Sequence, residues 1–400
     1  MKMPRWLPIL ICLPLMAVRG HEVVFTSGKS ALCIPIEASN RHVAFQARVN
    51  DRDGVRLVLD TGAGGSVLDA ALSSSLGLAE VGTAHAQGSG GSAMGSTVRG
   101  VDVTLPGLQL LDQTMSTLEL GAISAQSGRP LDGILGHPFL SRCVVEIDYP
   151  RKCVSFFDAK GYTYTGPGVS VPITFKQNLP YVKANVVLPD GRSVSGKFVI
   201  DTGASTNLIL SPESVEREGI ADALGKTMTV QSRGVGGVSE IRLARLGRLE
   251  LGGFSLAGPV AALQPSGTGR ISAEGTVGNI GGGILSRFKV IFDYSRQRMI
   301  LEPGPDLALP FEADMSGLSL VSIPPDLRRV SVARVLDGSP AFEAGVRAGD
   351  EIQTVNGKPV AEIDLSALRE SLRLEGKDVK LELLRGTEPI TLELKTRRMI

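Results

Sequence analysis

Two Asp-Thr-Gly triplets, each preceded by a run of apolar residues, are the part of this sequence best suited to chemistry. The triplets are Asp60-Thr61-Gly62 and Asp201-Thr202-Gly203. A buried strand that ends in aspartate delivers a carboxylate at its end, and a glycine permits a tight turn behind it. The threonine hydroxyl can hydrogen-bond across to the matching turn. We therefore expect Asp60 and Asp201 to be catalytic, supported by Thr61, Gly62, Thr202 and Gly203.

The chemistry open to such a pair is general acid–base catalysis. Two carboxylates about 3 Å apart repel each other by about 5 kcal/mol at an effective dielectric constant near 20, so they share one proton near neutral pH. The ionised member can take a proton from water while the protonated member polarises a substrate carbonyl. The expected reaction is hydrolysis of a peptide bond. The alternative is that each triplet is an ordinary strand-ending turn whose aspartate accepts backbone N–H groups.

An internal repeat of about 140 residues would bring the two triplets together. Residues 57–63 recur as 198–204, and residues 140–142 recur as 285–287. Within each copy, runs rich in Val, Ile and Phe are punctuated by Gly, Asp and Pro, which predicts short strands and hairpins. A helix is predicted after the second triplet, with Ser211 as its cap and Pro212 at its first position. If the copies pack about a pseudo-two-fold axis, Asp60 and Asp201 meet.

A third unit begins near Phe311, after the Pro303-Gly304-Pro305 cluster. Asn356-Gly357 is a strong hairpin signal in this unit. The spacing of Leu365, Leu368 and Leu372 predicts one face of a helix.

Composition excludes several classes of protein. The 42 Lys and Arg residues nearly balance the 41 Asp and Glu residues, so no nucleic-acid partner is expected. The apolar stretch at 6–18 is too short to span a bilayer and follows Lys2 and Arg5, as in a secretory signal peptide. We therefore expect residues 1–20 to be a signal peptide, with no transmembrane span in the mature chain. No metal or organic cofactor is expected, since the sequence contains no H-E-x-x-H or C-x-x-C pattern.

The cysteines allow at most one disulfide in the mature chain. Cys143 and Cys153 flank a predicted hairpin in which Asp148, rather than Cys143, faces Cys153. Five strand residues then separate these two cysteines, which is too far for a bridge. Two states remain open, free buried thiols or Cys33 paired with one of the others.

Residues 31 to 303 resemble aspartic proteases of the retropepsin and pepsin class. Besides the triplets, Ile134-Leu135-Gly136 and Asn279-Ile280-Gly281 are similar to the apolar-apolar-Gly motif of that class, although Asn279 replaces an apolar residue. The resemblance implies a mostly β fold with two retropepsin-like β-barrel lobes, at 29–160 and 165–303, related by pseudo-two-fold symmetry. It also implies two glycine-rich flaps over the substrate, and their tips would be Gly88, Ser89, Gly90 and Gly91 in the first lobe and Gly234, Val235, Gly236 and Gly237 in the second.

The third unit, 311–396, resembles an α/β PDZ domain of the kind found in exported bacterial proteases. The resemblance rests on Gly338-Ser339-Pro340-Ala341 and Ala348-Gly349-Asp350-Glu351-Ile352. It implies a groove that takes a peptide C-terminus by strand addition. The groove residues would be Gly317, Leu318, Ser319, Leu320, Leu365, Leu368 and Leu372. The alternative is an intramolecular brace that binds no peptide.

Taken together, the patterns predict an exported, periplasmic aspartic endopeptidase with both lobes in one monomeric chain and polypeptides as substrates. Ala63 and Ala204 stand where pepsins usually carry a hydroxyl, so activity is expected at mildly acidic to neutral pH. One alternative is a proteolytically inactive peptide-binding adaptor of the same fold. Another is an oligomer in which equivalent lobes pair between chains.

Overall fold

The computed structural model describes residues 22–37, 41–88, 90–265 and 275–400. The predicted signal peptide at 1–20 and the flap residue Ser89 lie outside the described residues. Strands dominate the described part and its helices are short, which confirms the predicted mostly β fold. No helix in these ranges is both long and apolar enough to cross a membrane.

The first half of the chain contributes eleven strands and three helices within the described ranges. The strands are β1 (Glu22–Phe25), β2 (Ser30–Pro35), β3 (Val43–Val49), β4 (Arg52–Leu59), β5 (Val67–Asp69), β6 (Glu80–Gly88), β7 (Gly91–Leu105), β8 (Leu108–Leu118), β9 (Gly133–Leu135), β10 (Cys143–Asp148) and β11 (Cys153–Asp158). The helices are α1 (Ala70–Ser75), α2 (Gly121–Ser127) and α3 (His137–Leu140). Eight of the strands form one sheet in the order β1-β8-β5-β9-β4-β3-β7-β6.

The second half repeats this plan. Its strands are β12 (Val169–Pro172), β13 (Thr174–Lys176), β14 (Leu179–Val187), β15 (Ser193–Asp201), β16 (Leu208–Leu210), β17 (Thr227–Gly234), β18 (Gly237–Arg245), β19 (Arg248–Leu251), β20 (Phe254–Ala257), β21 (Val260–Leu263), β22 (Thr276–Gly281), β23 (Phe288–Asp293) and β24 (Arg298–Pro303). Helices α4 (Pro212–Arg217) and α5 (Gly282–Leu285) complete it. The Ser211 hydroxyl accepts the Ser214 N–H and Pro212 opens α4, as predicted.

A six-stranded sheet joins the two halves. Its order is β12-β24-β23-β10-β11-β2, and β10 of the first half pairs antiparallel with β23 of the second. One continuous apolar core runs through both halves and includes Phe45, Phe156, Phe198 and Phe292. The two lobes are therefore packed as one body.

The cysteine pattern follows one of the two predicted states. Cys33 on β2 is disulfide-bonded to Cys153 on β11, with their Cα atoms 4.8 Å apart. Cys143 is a free, buried thiol. In the β10–β11 hairpin Asp148 faces Cys153, as predicted, and Cys143 faces Asp158.

The C-terminal unit has its own sheet and its own apolar core. Its elements are β25 (Leu318–Ile323), β26 (Asp326–Val335), α6 (Pro340–Glu343), β27 (Glu351–Val355), β28 (Lys358–Pro359), α7 (Leu365–Ser371), β29 (Asp378–Arg385) and β30 (Glu388–Lys395). The sheet order is β25-β26-β27-β29-β30, with β28 beside β27. Asn356 and Gly357, both at positive φ, form the predicted turn between β27 and β28.

Candidate active site

The two triplet aspartates lie at the ends of equivalent strands. Asp60 follows β4, and Asp201 is the last residue of β15. Each of these strands runs parallel to a second strand, β9 in the first lobe and β22 in the second. The Asp60 N–H donates to the Leu135 carbonyl at 3.0 Å, which fixes the point where Asp60 leaves the sheet.

Each aspartate carboxylate lies against the glycine of the other triplet. A Cβ placed on Gly62 would lie 2.4 Å from Asp201 Cγ, and one placed on Gly203 would lie 2.3 Å from Asp60 Cγ. Neither glycine has a left-handed φ. The backbone turns tightly at each triplet, since the Ala63 N–H donates to the Asp60 carbonyl at 3.3 Å and the Ala204 N–H donates to the Asp201 carbonyl at 3.4 Å. In addition, any side chain on either glycine would occupy the space of the opposing carboxylate. The structure brings Asp60 and Asp201 together across the two halves.

Thr61 and Thr202 tie the two loops together, and both are fully buried. The Thr61 hydroxyl donates to the Ile200 carbonyl at 2.8 Å and accepts the Thr202 N–H at 3.0 Å. Thr202 does the reverse, donating to the Leu59 carbonyl at 2.8 Å and accepting the Thr61 N–H at 3.1 Å. These four reciprocal bonds are the cross-turn contacts expected of the threonines.

Backbone N–H groups of the triplet loops donate to both carboxylates. Asp60 Oδ1 accepts the Gly62 N–H at 2.7 Å. Asp201 Oδ1 accepts the N–H groups of Gly203 at 2.8 Å and Ala204 at 3.0 Å. Asp201 Oδ2 also accepts the side-chain amide of Asn279 at 2.6 Å. This last contact was not predicted, although the departure of Asn279 from the apolar-apolar-Gly pattern was visible in the sequence.

Two further titratable side chains interact electrostatically with one or both of these aspartates. Burial lowers the pKa of His42 to about 4, and the negative charge of Asp201 only partly opposes this effect. Burial, followed by the charges of Asp60 and Asp201, raises the pKa of Tyr294 well above its ordinary value. His42 and Tyr294 are therefore both uncharged at neutral pH.

The two glycines of the apolar-apolar-Gly segments lie directly behind the triplet loops. A Cβ on Gly136 would lie 2.6 Å from the Ala63 carbonyl oxygen, and one on Gly281 would lie 2.9 Å from the Ala204 carbonyl oxygen. In both lobes, the apolar-apolar-Gly segment therefore lies against the backbone of the triplet loop.

The two glycine-rich hairpins meet at their tips. The β6–β7 hairpin turns between Gly88 and Gly91, and the β17–β18 hairpin turns between Gly234 and Gly237. The Gly90 N–H donates to the Val235 carbonyl at 3.0 Å. Added Cβ atoms on Gly88, Gly90 or Gly236 would collide with the backbone of the opposite hairpin. The described flap residues of one lobe therefore contact those of the other.

The Val235 side chain reaches from the second lobe into an apolar cluster of the first. That cluster includes Val58 and Ile134, next to the Asp60 loop, together with Ile123 of α2. In the second lobe the position equivalent to Ile134 is the polar residue Asn279. The two sides of the pair thus differ in polarity.

The two predicted walls of the PDZ groove, β25 and α7, contact the first lobe. Helix α2 packs beside β25, and a Cβ on Gly128 at the end of α2 would lie 2.7 Å from Leu365 Cβ. Arg129 pairs with Asp364 at the start of α7, with Nη2 and Oδ2 2.6 Å apart. The Arg369 guanidinium donates to the Leu320 carbonyl at 2.7 Å and so bridges the two walls.

The predicted groove residues are largely buried within the C-terminal unit itself. Leu318, Leu320, Leu365, Leu368 and Leu372 all belong to its core. The loop before β25 is held by Asp314, whose carboxylate accepts the N–H groups of Ser316 at 3.0 Å and Gly317 at 2.6 Å. Burial raises the pKa of Asp314 to about 6. Peptide binding by Gly317, Leu318, Ser319 and Leu320 stays a prediction.

Comparison with protein families matches both parts of the chain. A family described as aspartyl protease matches residues 45–139 and 182–282, the two segments that carry the triplets. A PDZ domain family matches residues 331–385. The chain therefore combines two retropepsin-like aspartyl protease segments with a PDZ domain that follows them.

Among solved structures, the chain is similar to the aspartic proteinase from Irpex lacteus. The identity is 16%, the TM-score is 0.45, and the match covers 69% of this chain and 98% of that one.

Three curated relatives share shorter segments with the chain. HhoA of Synechocystis sp., named provisionally as a serine protease, is 38% identical over 77 residues. The periplasmic pH-dependent serine endoprotease DegQ of Escherichia coli is 34% identical over 93 residues. A protein of Lactococcus lactis, named provisionally as a zinc metalloprotease, is 35% identical over 69 residues. The matches cover 19%, 23% and 17% of this chain and 19%, 18% and 16% of the relatives, in that order. The chain thus spans less than a fifth of each relative, and the three names do not share one catalytic chemistry.

Proposed function

We propose that this protein is an aspartic-type endopeptidase in which Asp60 and Asp201 are the catalytic pair. The observation that carries the proposal is the opposition of the two carboxylates, each packed against the glycine of the other triplet. Like charges held this close favour a pair that holds a single proton. The reciprocal threonine bonds hold the two loops together.

The proposed reaction consumes one water molecule for each peptide bond. The ionised carboxylate takes one proton from the water, and the hydroxide adds to the carbonyl carbon. The protonated carboxyl group gives its proton to the carbonyl oxygen, which yields a neutral diol. When the C–N bond breaks, the pair gives its proton to the nitrogen, which leaves as an amine, and takes a proton from one hydroxyl of the diol, which leaves a carboxylic acid. The pair ends with one proton, as it began.

The proposed substrates are extended polypeptide segments lying under the joined flaps. The apolar cluster that includes Ile123, Ile134 and Val235 favours an apolar side chain on the first-lobe side.

We also propose that the protein is exported to the periplasm. The Cys33–Cys153 disulfide supports this, because such bonds persist in oxidising compartments.

Replacing either proposed catalytic aspartate with asparagine is expected to lower cleavage of an unfolded polypeptide by about 1,000-fold or more, because an amide can neither take a proton from water nor share one. The test compares the wild type with Asp60→Asn and Asp201→Asn between pH 3 and 8. Wild-type activity should peak at mildly acidic to neutral pH. Equal cleavage, or none, by all three proteins would favour the alternative of an inactive peptide-binding adaptor. Gel filtration of the same samples tests the other alternative, an oligomer in which equivalent lobes pair between chains.

The role proposed for the PDZ domain is to recruit or position substrate C-termini. Because α2 packs beside β25 and Gly128 contacts Leu365, a peptide that adds to β25 has to displace the first lobe from the groove. These contacts also support a brace, in which the domain binds no peptide and stiffens the first lobe.

Arg129→Ala separates the recruiting role from the brace. The change removes the ion pairs of Arg129 with Asp364 and Glu37 and leaves the groove residues intact. If the groove recruits peptides, the variant should bind peptides with a free C-terminal carboxylate about three- to tenfold more tightly than the wild type, since displacing α2 costs less. Calorimetric titration with a mixed C-terminal peptide library measures this, and C-terminally amidated peptides are the control. No binding by either protein would leave the brace as the role of the domain.

A further inference from the structure

We propose that a cavity between the second lobe and the PDZ domain binds an acidic side chain of the substrate. The cavity has a volume of about 230 Å³ and is lined by three arginines, which we call the arginine cluster: Arg41, Arg369 and Arg373. The inference rests on the proposed function and adds a substrate class to it. The preferred substrates are polypeptides with an aspartate or glutamate a few residues from the cleaved bond.

The cavity lies beside the path of a substrate chain under the flaps. One part of its lining is residues 205–207, which continue the loop of Asp201. Another part is Met228 and Val230 of β17, the strand that leads to the second flap. Ser205 follows Asp201 by four positions, and a chain advances by at most about 3.5 Å per residue, so the near edge of the cavity is within about 14 Å of Asp201. A carboxylate in the cavity would therefore belong to a residue about three to five positions from the cleaved bond.

The arginine cluster has fewer carboxylate partners than guanidinium groups. Glu370 Oε1 lies 2.7 Å from Arg373 Nη1 and 3.9 Å from Arg41 Nη2, so one carboxylate serves two arginines. Arg41 also donates to the side-chain oxygen of Asn207 at 3.2 Å. Within the described ranges, the guanidinium of Arg369 has only the Leu320 carbonyl as a hydrogen-bond partner, at 2.7 Å, and no ion pair.

The two acidic residues that line the cavity are engaged elsewhere. Glu312 pairs with Arg245, whose Nη2 lies 3.4 Å from Oε2, and with Arg398. Asp314 accepts the backbone N–H of Ser316 at 3.0 Å and its hydroxyl at 2.9 Å. The arginine cluster acts on Asp314 only at longer range, and neither acidic residue forms an ion pair with the cluster among the residues that the structure describes. The cluster thus keeps an excess of positive charge.

This excess charge lies in a partly buried place. Burial, followed by the charge of Arg373, lowers the pKa of both Arg41 and Arg369 to about 10. Both side chains are still charged at neutral pH. Partly buried cations of like sign are unfavourable unless an anion pairs with them. A carboxylate is the anion whose two oxygens match the planar guanidinium group, so its binding would relieve the repulsion.

An acidic side chain fits the rest of the cavity as well. Met228, Leu243 and Ala262 of the second lobe line it with apolar groups, against which the hydrocarbon part of a glutamate can pack. The cavity is present with α2 packed beside β25. An acidic side chain can therefore enter without the displacement of α2 that a peptide added to β25 requires.

The test compares KM for pairs of quenched fluorescent peptides with both termini blocked. Mass spectrometry of the products from a denatured polypeptide first identifies a core sequence that the protein cleaves. Glutamate or glutamine is then placed at each of about five positions on either side of the bond. At the position that reaches the cavity, the glutamate peptide should have a KM about tenfold lower than its glutamine partner, with kcat within about twofold.

Variants of the arginine cluster should remove this preference. In Arg369→Gln the ratio of the two KM values is expected to fall to about twofold or less, and Arg369→Lys should keep most of it, because the charge stays. Arg373→Gln is the second variant, in case Arg369→Gln does not fold. Arg328→Gln is the matched control, since Arg328 is an exposed arginine of the same domain that pairs with Asp326. A merely structural role of Arg369 would lower cleavage of both peptides equally.

Several results with an active wild type would overturn the inference and leave the proposed function standing. One is equal KM for the glutamate and glutamine peptides at every position. Another is a glutamate preference that both Arg369→Gln and Arg373→Gln retain. A third is a preference for a free over an amidated C-terminus without any preference for glutamate.

If the wild type cleaves nothing, the proposed function fails, and binding decides the role of the cavity. Fluorescence anisotropy is then measured with blocked peptides of mixed core sequence that carry glutamate or glutamine. Tighter binding of the glutamate peptides, lost in Arg369→Gln and kept in Arg328→Gln, would support a carboxylate site in a protein that does not cut. Equal binding of the two sets would overturn the inference as well.

Discussion

A single methyl group at position 203 is expected to lower kcat/KM about 100-fold or more, because Gly203→Ala places a Cβ 2.3 Å from Asp60 Cγ. The carboxylate has to move by about 1 Å or more to restore an ordinary contact, and a displacement of that size costs a reaction about two orders of magnitude. Gly62→Ala should act in the same way on Asp201, where the corresponding distance is 2.4 Å. Steady-state kinetics on an unfolded polypeptide, with thermal unfolding alongside, measures both effects.

Gly65→Ala is the matched control for this prediction. Gly65 lies in the same first-lobe loop as Gly62, its φ is not left-handed, and a Cβ added to it meets nothing within 4 Å. The same substitution there should leave kcat/KM within about twofold of the wild type. If Gly203→Ala were folded and as active as Gly65→Ala, the carboxylate would not need the space that the glycine leaves.

The second large effect is expected on stability. Thr202→Val removes the hydroxyl that donates to the Leu59 carbonyl and accepts the Thr61 N–H, in a site that is fully buried. Two buried backbone groups then lose a partner at a cost of about 1 to 3 kcal/mol each, so the free energy of unfolding should fall by about 2 to 6 kcal/mol. Urea unfolding followed by far-UV circular dichroism measures the change.

Thr202→Ser keeps the hydroxyl and loses only a methyl group, which is worth about 1 kcal/mol. It should therefore be clearly more stable than Thr202→Val. Thr61→Val should match Thr202→Val, and the double variant should cost less than the sum of the two, because both residues belong to one network. Equal stability of the serine and valine variants would show that the reciprocal bonds contribute little.

Much of the fold could be predicted because its signals are local or repeated. The cap of α4 at Ser211, the turn at Asn356-Gly357 and the facing of Asp148 and Cys153 each depend on a few neighbouring residues. The repeat then supplied the long-range step, since matching strands in matching copies imply a pseudo-two-fold arrangement of Asp60 and Asp201.

The features that escaped prediction depend on neighbours far apart in the sequence. What Gly62 and Gly203 face is decided by the other half of the molecule, so the local turn pattern could not reveal their contact with the opposing carboxylate. The pairing of Arg129 with Asp364 joins residues 235 positions apart, and no local pattern signals it. Asn279 stood out as a departure from its motif, but its partner could only be found once β15 and β22 were placed side by side.

The six-stranded sheet joins the two halves within one chain, so the halves can differ in sequence, which two identical subunits cannot. In a symmetric pair of separate chains, every residue near the axis occurs twice, and a change in one copy is a change in both. Here the contact between β10 and β23 lies within one polypeptide. Each half can therefore change in sequence independently while the pairing of β10 with β23 holds the two halves together. The contrast between Ile134 and Asn279 is a difference that only such a fused pair can carry.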